Sequence, residues 1–510
     1  MIDKKENIIE DTNLNSPLGF DVNSAKRVRG TSSVPLQGLG VINSPSGVGS
    51  TIAAISTAPG TGGIAVIRIS GFDAIKYCAN IFQPTNKSLN LSESENNIVI
   101  HGNIIDTENE IIDDVLVTIF RAPHSYTGED VVEISCHGSV YIQKKILKLI
   151  INQGCTLANP GEFTQRAFMN GKMDLSQAEA VADLIASDSA ASHRMAMNQM
   201  RGGFSGELDR LRTRLLDFAS LVELELDFSE EDVEFADRTQ LKNLSAEIEQ
   251  VISKLSNSFN VGNAIKNGIP VALVGETNVG KSTLLNFLLN EEKAIVSEIH
   301  GTTRDSIEDL VSLGGITFRF IDTAGIRNTK DKIESMGIER TYQKIEQASI
   351  VLWIVDCTQI SEHIEWLTER IAKRAEGKKV ILVFNKIDKI QEEEKEVLAQ
   401  FFDQFEGERL YISAKKRINT EELEKVLIKA AQLPEVQPGD IVVNNIRHYE
   451  ALQKALTAIR RVSYGLESGL TGDFLSQDIR ECMHFLGEIT GQISNDEILG
   501  NIFGKFCIGK

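Results

Sequence analysis

What the chain lacks narrows it first. No apolar run approaches the roughly 20 residues needed to span a bilayer. One of the most apolar stretches, Ile350 to Val355, is strand-sized and runs straight into Asp356. Cysteine is scarce: Cys78, Cys136, Cys155, Cys357, Cys482 and Cys507 form no CxxC pair and have no histidine at zinc-ligand spacing. That argues against a zinc site and, in so long a chain, against disulfides. Basic residues are outnumbered, 53 Lys and Arg against 72 Asp and Glu, for a formal net charge of -19. Broad phosphate-backbone binding needs a basic face and is disfavoured, but a small basic patch, or nucleic acid presented by a partner, is not. With no membrane segment and this acidity, the expected setting is a soluble protein of the cytoplasm.

A chain of 510 residues is long enough for roughly three domains, each with its own core. The segment 1–50 is polar and rich in Asn, Ser and Gly, and it carries Asp3, Glu6, Glu10 and Asp11. It suits neither a secretory signal nor an acid-poor transit peptide, and reads as a disordered extension. From Thr51 the pattern becomes α+β. Strands are expected at Thr51–Ser56, Ile64–Ile69, Asn97–Ile105, Asp114–Phe120 and Val131–Ser135, with a helix at Val140–Gln153 and the unit closing near Phe168. From Leu175 to about Asn260 helix follows helix; Leu241, Leu244, Ile248, Val251 and Leu255 recur on one face. The acidic run Asp227 to Glu234 is expected to separate two of these helices.

Strands and helices then alternate from Val271 to Ala431, which predicts a mostly parallel sheet with helices on both faces. Beyond Pro434 and Pro438 the pattern is helical again, over Ile446–Leu466 and Phe474–Ile489. Helices on both sides of an α/β unit suggest one helical domain into which that unit is inserted. The expected division is 1–50, 51–168, 169–267, 268–433 and 434–510.

The inserted unit carries the most specific chemistry. Gly275-Glu276-Thr277-Asn278-Val279-Gly280-Lys281-Ser282 follows a strand and opens a helix, the context of a P-loop. Its glycines let backbone amides curl around phosphates, and the helix N-terminus adds a favourable dipole. Lys281 brings positive charge to the outer phosphates, and the Ser282 hydroxyl suits magnesium. Asp322-Thr323-Ala324-Gly325 ends a strand where a second carboxylate of the metal shell belongs. Asn385-Lys386-Ile387-Asp388 ends another, and a carboxylate there accepts both the N1 and N2 protons of guanine, which adenine cannot match. Ser413-Ala414-Lys415 ends a third, where a backbone amide can meet guanine O6. Thr302-Thr303 lies between P-loop and Asp322, where a switch threonine completes the metal shell. The whole set, in this order, predicts GTP binding and hydrolysis.

From Thr51 to its last residue the chain resembles the MnmE (TrmE) family of tRNA-modifying GTPases. The matching segments include Gly62-Gly63-Ile64-Ala65-Val66-Ile67-Arg68-Ile69-Ser70-Gly71, Tyr126-Thr127-Gly128-Glu129-Asp130, Pro160-Gly161-Glu162-Phe163-Thr164 and the terminal Phe506-Cys507-Ile508-Gly509-Lys510. The resemblance implies an α+β N-terminal folate-binding domain, a discontinuous α-helical domain and an inserted α/β P-loop (Ras-like) G domain. It implies a homodimer formed through the N-terminal domains, and a complex with the flavoprotein MnmG. That complex installs an aminomethyl-type (carboxymethylaminomethyl) group at C5 of the wobble uridine of certain tRNAs.

The position after Gly325, where many Ras-like proteins hold water with glutamine, is Ile326, which has no polar atom for the purpose. By resemblance, hydrolysis instead uses a potassium ion held by Asn278, Thr302 and the carbonyls of Ser297 and Ile299, with magnesium on Ser282 and Thr303. Glu334 orients the attacking water; without the resemblance it reads as a solvated loop charge. Implied GTP contacts also include Val279, Gly280, Thr283, Glu298, His300 and Gly301. Thr277 stands where the family often has proline, and His300 where a small residue is usual.

The resemblance further places a tetrahydrofolate derivative (5-formyl- or methylene-) at Arg68, Glu133, Lys172 and Lys510. Cys507, beside Lys505 and Lys510, is either a reactive thiol or a small anchor for the C-terminus. His137, before Gly138, reads as a turn histidine or a catalytic one. The rival function is an Era-like ribosome-assembly switch, which a KH-like GxxG domain or a basic tail beside the G domain would favour. Neither a KH-like domain nor a basic tail is read beside the G domain.

Overall fold

The computed structural model describes residues 49–227, 238–276, 278–292, 309–321, 343–359, 375–402, 405, 407–431, 440–493 and 496–509. Among them, no helix is long and apolar enough to cross a membrane.

Seven strands form the first sheet: β1 Ile52–Ile55, β2 Ile64–Ser70, β3 Phe82–Pro84, β4 Ile98–Ile105, β5 Ile111–Phe120, β6 Val131–His137 and β7 Thr156–Leu157. Their order is β3-β4-β5-β6-β2-β1-β7. All pairings are antiparallel except β1 with β7. Strict alternation sets the two faces apart. Ala65, Ile67 and Ile69 of β2 and Ile134 and Cys136 of β6 enter one core with Ile75 and Cys78 of α1 (Ala74–Ala79) and Ile146 and Ile150 of α2 (Val140–Asn152). The opposite face holds the registered pairs Arg68–Glu133 and Ile64–His137, with exposed Val99 and Leu116 on the neighbouring strands. β5 and β6 each extend beyond their expected ends, and β3, β7 and α1, too short for a periodic signal, were not anticipated by the pattern.

Helices α3 (Glu162–Met169), α4 (Leu175–Ile185), α5 (Ala190–Met200), α6 (Gly203–Asp227), α7 (Arg238–Asn257) and α8 (Phe259–Asn267) follow. Leu241, Ile248 and Leu255 of α7 are buried as their spacing predicts, with Leu244 and Val251 packed beside them. Of the acidic run Asp227 to Glu234, all but Asp227 lies outside the described residues.

The second sheet contains β8 (Ile269–Val274), β9 (Asp309–Leu313), β10 (Ile316–Phe320), β11 (Ile350–Asp356), β12 (Lys379–Asn385) and β13 (Glu408–Ile412), in the order β13-β12-β11-β8-β10-β9. It is parallel apart from the β9–β10 pair. β9 was not among the expected strands; its alternating Leu310 out, Val311 in and Leu313 in makes it the half-exposed edge of a hairpin. α9 (Lys281–Glu292) and α11 (Thr420–Ala431) pack on one face through Leu284, Leu288, Leu423 and Leu427. α10 (Glu392–Phe401) covers the other through Leu398.

After this sheet come α12 (Ile446–Ser468), α13 (Gly472–Thr490) and α14 (Asp496–Phe503). Leu211, Leu215 and Phe218 of α6 and Ile248 and Ile252 of α7 share one core with Leu452, Ile459, Ile479 and Leu486 of α12 and α13. The helical layer is therefore discontinuous in sequence and continuous in space, with the α/β unit inserted between its halves.

Candidate functional site

Three loops at the C-terminal ends of parallel strands converge on the P-loop. β8 delivers its backbone, Asn278 adopts a left-handed φ of 66°, and α9 begins at Lys281, so Ser282 and Thr283 lie in the first helical turn. A Cβ at Gly280 would lie 2.2 Å from Asn385 Nδ2, so only glycine permits this approach. The Lys281 ammonium donates to the carbonyls of Gly275, at 2.6 Å, and Glu276. Burial, with the nearby Lys344 charge, lowers its pKa to about 8.

Asn385, at the end of β12, donates to the Val279 carbonyl at 2.7 Å, while its Oδ1 accepts the amides of Lys386 at 2.9 Å and Ala414 at 3.0 Å. One buried side chain thus ties three motifs together. Asp388 follows in a short helical turn, Ile387–Lys389, and its Oδ1 accepts the Ser413 hydroxyl at 2.6 Å. That hydrogen bond lowers the pKa of Asp388, keeping it an acceptor-only carboxylate. Lys415 lies in the adjoining turn.

Asp356, noted in the sequence only as the end of an apolar run, pairs with Lys386 and accepts the Thr358 amide at 3.0 Å. Burial opposes its ionisation, but these hydrogen bonds prevail and lower its pKa. A carboxylate closing a buried strand beside Asn385 was the available signal. Ser297, Glu298, Ile299, His300, Gly301, Thr302, Thr303, Asp322, Thr323, Ala324, Gly325 and Glu334 lie outside the described residues, as does Thr277.

A second polar site lies on the open face of the first sheet. Arg68 and Glu133 are register partners joined at 2.8–2.9 Å. The guanidinium sits 5.4 Å from the Tyr126 ring centroid and 5.6 Å from that of Phe163, both missed as site residues because they are distant in sequence. Lys172 Nζ donates to the Pro123 carbonyl at 2.9 Å, on the same 123–130 segment as Tyr126. Lys510 lies outside the described residues, but Gly509 is anchored: Ser56 Oγ donates to its carbonyl at 3.0 Å. A Cβ on Gly509 would lie 2.4 Å from Ile55 O, and Ile55 pairs with Ile67, the neighbour of Arg68. The expected folate residues Arg68 and Glu133 are thus in contact, with Lys172 and the C-terminal tail brought to the same domain.

Cys507 is exposed, whereas the other described cysteines are buried. Its carbonyl accepts the Gly161 amide at 3.4 Å, so the main chain here docks the tail while the thiol faces solvent. His137 sits at the end of β6 with Asp113 accepting both its Nδ1–H, at 2.7 Å, and its amide, at 2.8 Å. Asp113 therefore orients the ring in place at the turn.

A largely parallel sheet whose strand ends gather a P-loop, the Asn385–Asp388 loop and the Ser413 turn has the layout of a P-loop GTPase. A family model described as the MnmE helical domain matches residues 175–507, and one described as the GTP-binding protein TrmE N-terminus matches 51–172. A tRNA modification GTPase MnmE of Bacteroides thetaiotaomicron is 62% identical over 463 residues, covering 90% of this chain and 99% of that protein. Its counterpart in Bacteroides fragilis is 60% identical, with the same coverage. Among solved structures, Era of Aquifex aeolicus is 31% identical over 37% of this chain and 65% of that one, with a TM-score of 0.26. The chain belongs to the MnmE (TrmE) family.

Proposed function

We propose that this GTP hydrolase is potassium-activated and works with the flavoprotein MnmG. Together they add a carboxymethylaminomethyl-type group at C5 of the wobble uridine of certain tRNAs, drawing a one-carbon unit from a tetrahydrofolate derivative. The supporting observation is the joint presence of the Asn385-centred GTP site and the Arg68–Glu133 site in one chain of this family.

Among the described residues, Ser282 and Asn278 of the P-loop offer oxygen donors that suit the proposed ions. Ser282 and Thr303 would hold magnesium, which neutralises phosphate charge. Asn278, Thr302 and the carbonyls of Ser297 and Ile299 would hold potassium, which supplies positive charge where a Ras-like arginine finger would act. Asn278 already has the left-handed backbone that turns the loop tightly over this region. Lys281 binds the outer phosphates, Asp388 reads guanine, and Glu334 orients the attacking water. At the second site Glu133 is an acceptor for an amino-pyrimidinone edge, while Arg68, Lys172 and Lys510 suit glutamyl carboxylates. The folate would supply the carbon at the formyl or methylene level. A homodimer would cover the open face that bears Val99 and Leu116.

GTP turnover measured in potassium and in sodium salts tests the ion: turnover should be markedly slower in sodium, and equal rates would remove potassium from the reading. Nucleoside analysis of tRNA from cells lacking the gene tests the product; intact wobble-uridine modification, with no duplicate gene present, would refute it.

A further inference from the structure

Two stretches of chain connect the GTP-binding unit to the helical layer, and α4 grips both. The inbound stretch is the end of α8, where Lys266 lies three residues before β8; the outbound stretch reaches Asn444 and Asn445 just before α12. Asp183, near the C-terminal end of α4, lies 2.8 Å from Lys266 Nζ and accepts Asn444 Nδ2 at 3.0 Å. One helical turn earlier, Glu179 accepts Asn445 Nδ2 at 3.1 Å, Arg447 Nη2 at 2.9 Å and His448 Nε2 at 2.6 Å.

These two grips differ in kind. Glu179 and His448 are buried, and Arg447 also donates to the carbonyls of Glu488 and Ile489, so parting this network would strand buried charge. The Lys266 and Asp183 side chains are 29% and 15% exposed, against 1% and 8% for His448 and Glu179, so the Lys266–Asp183 pair costs less to part than the Glu179 network. The Glu179 network is therefore the harder of the two grips to part. The turn beyond α4 also reaches the second sheet, where Thr317 Oγ1 lies 3.4 Å from Asp188 Oδ1.

The other end of α4 leads to the Arg68 site. Its capping residue Asp174 comes two residues after Lys172, and Leu175 and Ala178 share a small core with Leu499, Phe503 and Phe506. That core carries the tail that docks Gly509 at Ser56.

We propose that Asp183 is a positioning residue: its contact with Lys266 is a catch that holds the GTP-binding unit in one orientation, and its release turns that unit about Glu179 and transmits the motion along α4 to the Arg68 site. The transmission half rests on the folate reading above; the catch itself does not.

The test uses the full-length protein with one dye on exposed Cys507 and another on a cysteine introduced by Glu422→Cys on α11. Asp183→Asn should broaden the dye-to-dye distance distribution in the nucleotide-free protein while leaving intrinsic GTP turnover within about 3-fold and lowering tRNA modification about 5-fold or more. Combining Asp183→Lys with Lys266→Asp should restore the narrow distribution. A distribution unchanged in Asp183→Asn, or one that the reversed pair fails to narrow, overturns the catch. Folate binding by Arg68→Ala is measured separately: unchanged binding there would sink the folate reading and leave the catch standing.

Discussion

Asn385 and Val279 lie on different loops, yet the Asn385 amide donates to the Val279 carbonyl across 2.7 Å and couples the loop after β12 to the P-loop. Replacing Asn385 with alanine leaves that carbonyl and the Ala414 amide without their buried partner, at about 1–3 kcal/mol for each group. Asn385→Ala should therefore weaken GTP binding at least about tenfold and lower the unfolding midpoint of the GTP-binding unit. Calorimetric titration with a non-hydrolysable GTP analogue checks this, and unchanged affinity would reduce the link to incidental contact.

Lys281 gives a pH dependence. Its pKa is lowered to about 8 in the nucleotide-free protein, and phosphate binding favours the protonated amine. Affinity for GTP should be level below that pKa and fall as pH rises through it, by about tenfold one unit above. Titrations across this range are the measurement, and the fall should be absent in Lys281→Arg, whose guanidinium stays charged.

Glu179 is held ionised although burial opposes it, because His448 and Arg447 bring its pKa down to about 2. The short contact requires His448 Nε2 to carry a proton, and burial lowers the His448 pKa below its ordinary 6.5 although Glu179 pulls it the other way. An unfolded chain takes up a proton at this histidine as pH falls through 6.5 while the folded one resists, so acid destabilises the fold. The Glu179 carboxylate adds a second loss as pH falls from 4.5 toward about 2. Urea unfolding should show Glu179→Gln less stable by about 3–5 kcal/mol at neutral pH. A loss under about 1 kcal/mol would mean the network is not a pivot.

Gly509 lies where φ is +95° and a Cβ would meet Ile55 O. Gly509→Ala should lift the tail from the first sheet and weaken binding of a 5-formyltetrahydrofolate probe roughly tenfold, with GTP turnover preserved. Equal probe affinity in the two proteins would detach the C-terminus from that site.

Much of the nucleotide site was legible because its chemistry is local. The P-loop, Asn385 to Asp388 and Ser413 to Lys415 are short runs in which spacing alone puts the required donors and acceptors at strand ends. Apolar periodicity likewise revealed α7, α12 and α13, since each buries one continuous stripe. β3, β7 and β9 stayed hidden: short or edge strands bury too few side chains to leave a pattern, and their pairing comes from a neighbouring strand.

The sequence by itself determined the GTP-binding motifs, the alternation of strands and helices, and the helical flanks, because each is a property of adjacent residues. Only the tertiary structure decided that Tyr126 and Phe163 lie against Arg68, that Asp356 braces Lys386, and that Glu179 and Asp183 grip both crossings into the inserted unit. Those contacts join residues tens to hundreds of positions apart. Long-range pairing depends on how whole elements pack, and no local run of residues encodes it.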